Sequence, residues 1–226
     1  MSDTHKSDTH LVWDLPLRLF HWLLVISVFG AIGSAKAGVL SIHQHFGMAV
    51  MGLVLFRLIW GFSGSQTARF ARFIRPIPEV IEIIKQIKQG KADKRAGHSA
   101  LGGYAVLYLL GICLVMSVSG AFSTDDVLFE GPFVVLMPGA SPNAETVHSI
   151  AEKFLFLGIF LHLLAMVVYY FRLKKNLVPA MVTGRHKGLT GDSGFISYRH
   201  NMLGLLGLGV ILIAAQLPIL LQPALY

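Results

Sequence analysis

The chain is short of charge. Of its 226 residues only 14% are Asp, Glu, Lys or Arg, while 54% are hydrophobic; a soluble domain carries about a quarter charged residues. That leaves too little solvating surface for a water-soluble globule and too much apolar surface for a disordered chain. Cysteine is equally scarce. Cys113 stands alone in an apolar run, so no intramolecular disulfide is possible, and it reads as a small core residue. No Cys-x-x-Cys-His occurs, which excludes covalent attachment of a c-type haem. No repeat, low-complexity tract or soluble domain is visible. The net charge of +7 would point to nucleic acid only on an exposed basic face. Here the basic residues fall between apolar runs, so nucleic acid is not expected.

What is present is a set of long apolar runs, with a mean hydropathy of +0.63. About 18 or more mostly apolar residues cross a bilayer core. Five stretches qualify: 15–34, 42–62, 101–122, 147–171 and 202–221. Backbone in lipid must satisfy its own hydrogen bonds, so each is a helix. Ala35-Lys36-Ala37 resembles a signal-peptide cleavage site, but the first run is long, carries Arg18 and His21, and is followed by more membrane. It is expected to be retained. The fold class is therefore an all-α integral membrane protein. Residues 1–12 read as a disordered cytoplasmic tail, 13–187 as the transmembrane core, and 188–226 as a linker with a fifth helix.

Basic residues in the flanks set orientation. Counted over alternate sides, seventeen Lys and Arg fall on the side of the N-terminus and two on the other. The N-terminus is expected in the cytoplasm and the C-terminus outside. Within the basic loop, Ile77, Val80, Ile81, Ile84 and Ile87 recur at helical spacing, with Pro78 in the first turn and Gly90 at the end. Residues 78–89 read as an amphipathic helix, either on the inner membrane surface or packed on the bundle. The outer loop, 123–144, carries Asp125, Asp126 and Glu130. An acidic face of that kind suits a basic partner, although positive-inside bias alone also leaves acids behind. Ser141-Pro142 suits the start of the fourth helix.

Ionisable residues in spans are costly and usually functional. In these spans they are mainly histidine. His148 and His162 are fourteen residues apart, about 40° short of four full turns, so they leave one helix face about 21 Å apart along the axis. That is too far for one metal and fits two centres stacked across a membrane. Topology supplies partners by depth: His21 with the inner His162, and His43 or His45 with the outer His148. His43 and His45 differ by about 200° and cannot both face the bundle. Gly47, four residues after His43 on the same face, favours His43. His21 stands close to Arg18 while His162 stands ten residues from Arg172, a depth mismatch that tilt or snorkelling would absorb.

Imidazole ligates iron, copper and zinc alike. Two histidines per centre suit the axial positions of a porphyrin, and no carboxylate or thiolate is near to complete a zinc tetrahedron. Gly30, Gly33, Gly47, Gly52, Gly111, Gly120 and Gly158 offer room for a flat macrocycle, although glycine also serves ordinary helix seams. Arg57, fourteen residues after His43, shares its face near the inner side and is a candidate for pairing with haem propionates. Arg18 and Arg172 are further candidates, or plain anchors.

Four motifs carry a resemblance. Trp13-Asp14-Leu15-Pro16-x-Arg18-Leu19-Phe20-His21-Trp22 opens the first helix. Phe56-Arg57-Leu58-Ile59-Trp60-Gly61-Phe62 closes the second. Gly97-His98-Ser99-Ala100-Leu101-Gly102 enters the third, departing at Ser99 and Ala100 from a Gly-His-Asn-Pro-Leu-Gly pattern. Asn176-Leu177-Val178-Pro179-Ala180-Met181-Val182-Thr183-Gly184 follows the fourth. Over residues 12 to 187 the chain resembles the bacterial cytochrome b-561 family, which includes cytochrome b subunits of nickel–iron hydrogenases. The resemblance implies a four-helix core with two haem b groups ligated by His21, His43, His148 and His162, quinone exchange, and electron transfer across the cytoplasmic membrane. The similar subunit of respiratory formate dehydrogenase implies a quinone site at Gly97, His98 and Ser99. The partner implied is a periplasmic c-type cytochrome or a nickel–iron hydrogenase, beside membrane lipid and quinone or quinol.

Two other readings compete: a stand-alone quinone-linked oxidoreductase acting on superoxide or another small reductant, and a histidine-lined transition-metal transporter, for which carboxylates are missing from the span centres. The charge count yields a direct prediction. Alkaline phosphatase fused after Tyr226 should be active and green fluorescent protein fused there dark; the opposite pair of results would reverse the topology.

Overall fold

A computed structural model describes residues 9–91, 99–124, 129–187 and 198–222. Five helices in it are long and apolar enough to cross a membrane. These are α1 (Leu15–Lys36), α2 (Leu40–Ser63), α5 (Ala100–Ala121), α6 (Ser141–Phe171) and α8 (Tyr198–Leu220). Between them lie α3 (Phe70–Phe73), α4 (Ile77–Lys88) and α7 (Val178–Thr183). A ribbon pairs β1 (Thr9–Leu11) antiparallel with β2 (Arg185–Lys187).

The ribbon corrects the expected tail. Residues 9–11 are not free chain. Gly184, with φ of 78°, ends α7 in the left-handed region that glycine adopts without strain. Its carbonyl accepts from Val12 N at 2.7 Å, turning the chain so that β2 runs beside β1. Residues 1–8 lie outside the described residues. The fourth span is also longer than its apolar core, because α6 begins two turns earlier, at Ser141. Ser141 does not cap the helix. Its hydroxyl donates to Phe122 O at 3.0 Å and fastens α6 to the end of α5.

Helix α2 is the centre of the bundle and packs on α1, α5 and α8, while α6 packs on α5. No comparable packing joins α1 to α6. A slot is left between them, and it positions the site. The amphipathic α4 shows three faces. Ile83 is buried toward the bundle, and Arg172 at the end of α6 donates to Lys88 O at 2.6 Å. Ile77, Ile81 and Ile84 are exposed on a second stripe beside Lys88. Glu79 and Glu82 lie on the third.

At the basic end, one carboxylate ties two helices. Asp14, 2% exposed, accepts from Leu17 N at 2.7 Å, capping α1, and from Trp60 Nε1 of α2 at 3.0 Å. Trp60 stacks on Phe56 and meets His200 of α8 at 5.8 Å. A Cβ on Gly204 would stand 2.7 Å from Trp60, so only glycine admits α8 here. Asp14→Ala leaves two buried donors without an acceptor, each costing about 1–3 kcal/mol. The purified variant should melt at a clearly lower temperature; an unchanged melting point contradicts this account.

Candidate functional site

Two of the paired histidines meet at the end of the bundle away from the basic loop. His43, in the first turn of α2, and His148 of α6 face each other with ring centroids 6.2 Å apart and planes at 87°. His43 Nδ1 donates to Ala31 O at 2.9 Å. His148 Nδ1 donates to Met116 O at 2.9 Å, with Ser119 Oγ a second acceptor at 3.2 Å. A carbonyl only accepts, so Nδ1 carries the hydrogen on both rings and Nε2 keeps its lone pair. Such an outer bond is how a protein fixes the tautomer and direction of a metal-ligating imidazole. An imidazole nitrogen binds a metal at about 2.0–2.1 Å and lies about 1 Å from its own ring centre, so two opposed ligands stand roughly 6 Å apart, centre to centre. The observed spacing matches.

A cavity of about 350 Å³ surrounds this pair, drawn from α1, α2, α5, α6 and the loop before α6. Its wall is largely apolar, with Val28, Ile32, Met48 and Met116 among the lining residues. At its rim Lys36 and Glu152 form an ion pair at 3.6 Å. Glycines act here in two ways. At Gly47 a side chain would meet nothing within 4 Å, so it leaves open space. At Gly120 a Cβ would stand 3.0 Å from His148 Cε1 and 3.2 Å from Nδ1, so glycine is what lets this ring reach Met116 O. Gly30, Gly52 and Gly158 prove to be seam residues, packed on Phe46, Ala215 and Tyr108.

His45 is directed elsewhere. Its Nδ1 donates to Gln216 Oε1 of α8 at 2.9 Å. Of the two, His43 lines the cavity and His45 does not.

His21 of α1 and His162 of α6 are near enough to interact electrostatically. His21 Nδ1 is buried without a hydrogen-bond partner. An unmet buried polar atom is costly, and a ligand in the slot would relieve it. The paired side chains at both depths are imidazoles. Among the described residues no three His, Cys, Asp or Glu gather to hold an ion, so a tetrahedral zinc-type cluster is not formed there.

The arginines have local duties. Arg57 is 1% exposed, packed over Phe70 at 4.8 Å, and donates Nη2 to Ala68 O at 3.0 Å. It holds the chain that leaves α2, with Nη1 buried and unpaired. Arg18 donates Nη1 to Val182 O at 2.6 Å, fastening α7. Ser99 caps α5, accepting from Gly102 N at 3.1 Å and from Tyr169 OH of α6 at 3.3 Å. Gly97 and His98 lie outside the described residues. The carbonyls of Ala31 and Met116 could not be found from sequence, because any residue supplies a carbonyl. The only signal near Ser119 was its neighbour Gly120.

An all-helical membrane bundle with imidazoles opposed across a slot defines a membrane cytochrome of b type. More specifically, the chain belongs to the prokaryotic cytochrome b561 family, whose model matches residues 12–184. It is thus a multi-pass bacterial membrane protein of electron transfer that binds haem b. No curated protein and no solved structure matches the chain. The matched segment stops before α8.

The clearance at Gly120 is testable. Gly120→Leu drives a side chain into the His148 ring and should abolish part of the low-spin b-type difference spectrum, whereas Gly111→Leu, whose position is open, should retain it. Equal spectra in both would refute the clearance argument.

Proposed function

We propose that the protein is a dihaem electron carrier joining the quinone pool to a redox partner at the outer face of the cytoplasmic membrane. The observation that carries this reading is the His43–His148 pair, each ring bonded through Nδ1 to a backbone carbonyl and the two centroids 6.2 Å apart beside an apolar cavity. His21 and His162 are the pair proposed for the inner centre, where His21 Nδ1 is buried without a partner. Bound haem iron supplies one-electron transfer, tuned by ligands, burial and nearby charge. The protein's residues do the rest. The paired imidazoles are the residues that would hold each iron, and two such ligands would leave oxygen no open position. Ala31 O and Met116 O hold the outer rings in a fixed tautomer. The apolar lining excludes water, and Lys36 at the rim is placed to offset the carboxylates of the macrocycle. Arg57 keeps one unpaired N–H near the inner end for the same purpose, and Arg18 lies at the same end.

Quinone is assigned to the inner end of α5, around Ser99 with Gly97 and His98. Ser99 there joins α5 to Tyr169 of α6, the helix that bears His162. Quinone chemistry takes two electrons and two protons, so the bundle passes charge singly between that end and the outer centre. A periplasmic c-type cytochrome would draw electrons outward; a hydrogenase would send them inward.

The count of haems tests the reading. Pyridine haemochrome of the purified protein should give about two haem b per chain, bis-imidazole ligated. His43→Ala or His148→Ala should each remove the outer one, His21→Ala or His162→Ala the inner one, and His45→Ala neither. One haem in the wild type, or loss with His45→Ala and not with His43→Ala, overturns the assignment.

A further inference from the structure

Helix α8 stands outside the slot and beyond the family match, yet its outer end reaches the wall of the outer cavity. Gln216 accepts from His45 Nδ1 at 2.9 Å through Oε1 and donates Nε2 to His45 O at 3.3 Å. Gln222, just past the last turn, accepts from Gln44 Nε2 at 3.2 Å and donates to Glu130 O at 3.1 Å. Gln44 also donates to Glu130 O at 3.2 Å. Gln44 lines the cavity, as do Phe129 and Pro132 on either side of Glu130. Two amides of α8 thus grip the two residues that follow His43 and the loop that forms part of the cavity wall.

This grip answers a weakness in α2. The first N–H groups of a helix have no partner within it and need a cap. Val39 at that position offers no side-chain bond. His43 therefore sits in an uncapped first turn. The turn is held instead from outside, from α1 through His43 and from the end of α8 through Gln44 and His45. The register of that contact is set lower down, where a Cβ on Gly52 would stand 2.9 Å from Ala215 Cβ and 3.3 Å from Ile211 O.

We propose that α8 is a fastening helix for the outer haem site, in which Gln216 and Gln222 are positioning residues that hold the first turn of α2 and the 129–133 loop so that His43 presents Nε2 to the cavity. The proposal rests on the haem reading of the His43–His148 pair. Its consequence is asymmetric. Loosening α8 at its outer end weakens one axial bond at one centre and leaves the inner pair, on α1 and α6, untouched.

The test uses the full chain, purified with its haem, and carbon monoxide as a probe of an axial position that has opened. In the dithionite-reduced wild type the probe should cause little spectral change. The Gln216→Leu/Gln222→Leu double variant should keep its haem and render about half of it, the outer of the two, reactive to carbon monoxide, with a high-spin component and a shifted outer midpoint potential. The inner potential should not move. Gln216→Glu keeps the acceptor for His45 Nδ1–H and should retain the wild-type spectrum. Should the double variant not accumulate, Gln222→Leu alone is read by the same criteria. Haems that stay inert with unchanged potentials, or that are both perturbed alike, overturn the proposal. A wild type without an outer haem fails the haem reading itself, before any α8 variant is measured.

Discussion

A neutral imidazole in a dry interior has one donor and one acceptor nitrogen, and both are costly to leave unmet. The outer site is organised by how this protein divides them. His43 and His148 each spend the donor on a backbone carbonyl of a neighbouring helix, α1 and α5 respectively. The acceptor nitrogens are left over, and the rings are pinned by bonds from helices other than their own. Four helices are thus tied together by two side chains, and the position of one pair depends on the packing of all four.

That packing is uneven in a useful way. Close seams hold α1, α5 and α8 to the central α2, with glycines where bodies must approach. Helix α6 is attached along α5 and kept away from α1. The slot is the result, and it is bridged at its rim by the ion pair of Lys36 with Glu152. The basic end is closed differently, by Asp14, Trp60 and Arg57 buried together with the loop that follows α2. Arg18 and the β1–β2 ribbon draw the segment after α6 back onto the start of α1.

The spans were legible because lipid permits one solution for a long apolar run. The pairing at the outer site was legible for a related reason, since a fourteen-residue step on one helix and a charge-derived direction order the rings by depth. Gly47 was the sequence signal for His43; the structure adds a contact in α8, where Gln216 takes His45 away from the cavity. Sequence could not show that contact, because it joins residues 171 positions apart. Arg57 and Arg18 show the opposite limit. Their faces and depths were readable, but the carbonyls of Ala68 and Val182 that occupy them were not, since an irregular loop carries no period to read. The end of the expected tail, residues 9–11, was misread for the same reason: a three-residue ribbon is too short to leave an alternation, and it forms because Gly184 turns the chain toward it.

One further consequence follows from α6. It is a single helix of 31 residues, with its only proline in the first turn, and it carries both His148 and His162. Tunnelling rates fall exponentially with distance, so a spacing that wanders by an ångström changes a rate severalfold. Here the spacing between the two rings is set by the rise of one unbroken rod, about 21 Å, rather than by the packing of separate helices. Rearrangement at either face, when a partner docks or a small molecule exchanges, can tilt that rod but cannot stretch it. In the proposed dihaem reading the helix would act as a gauge block, fixing the gap between the two centres.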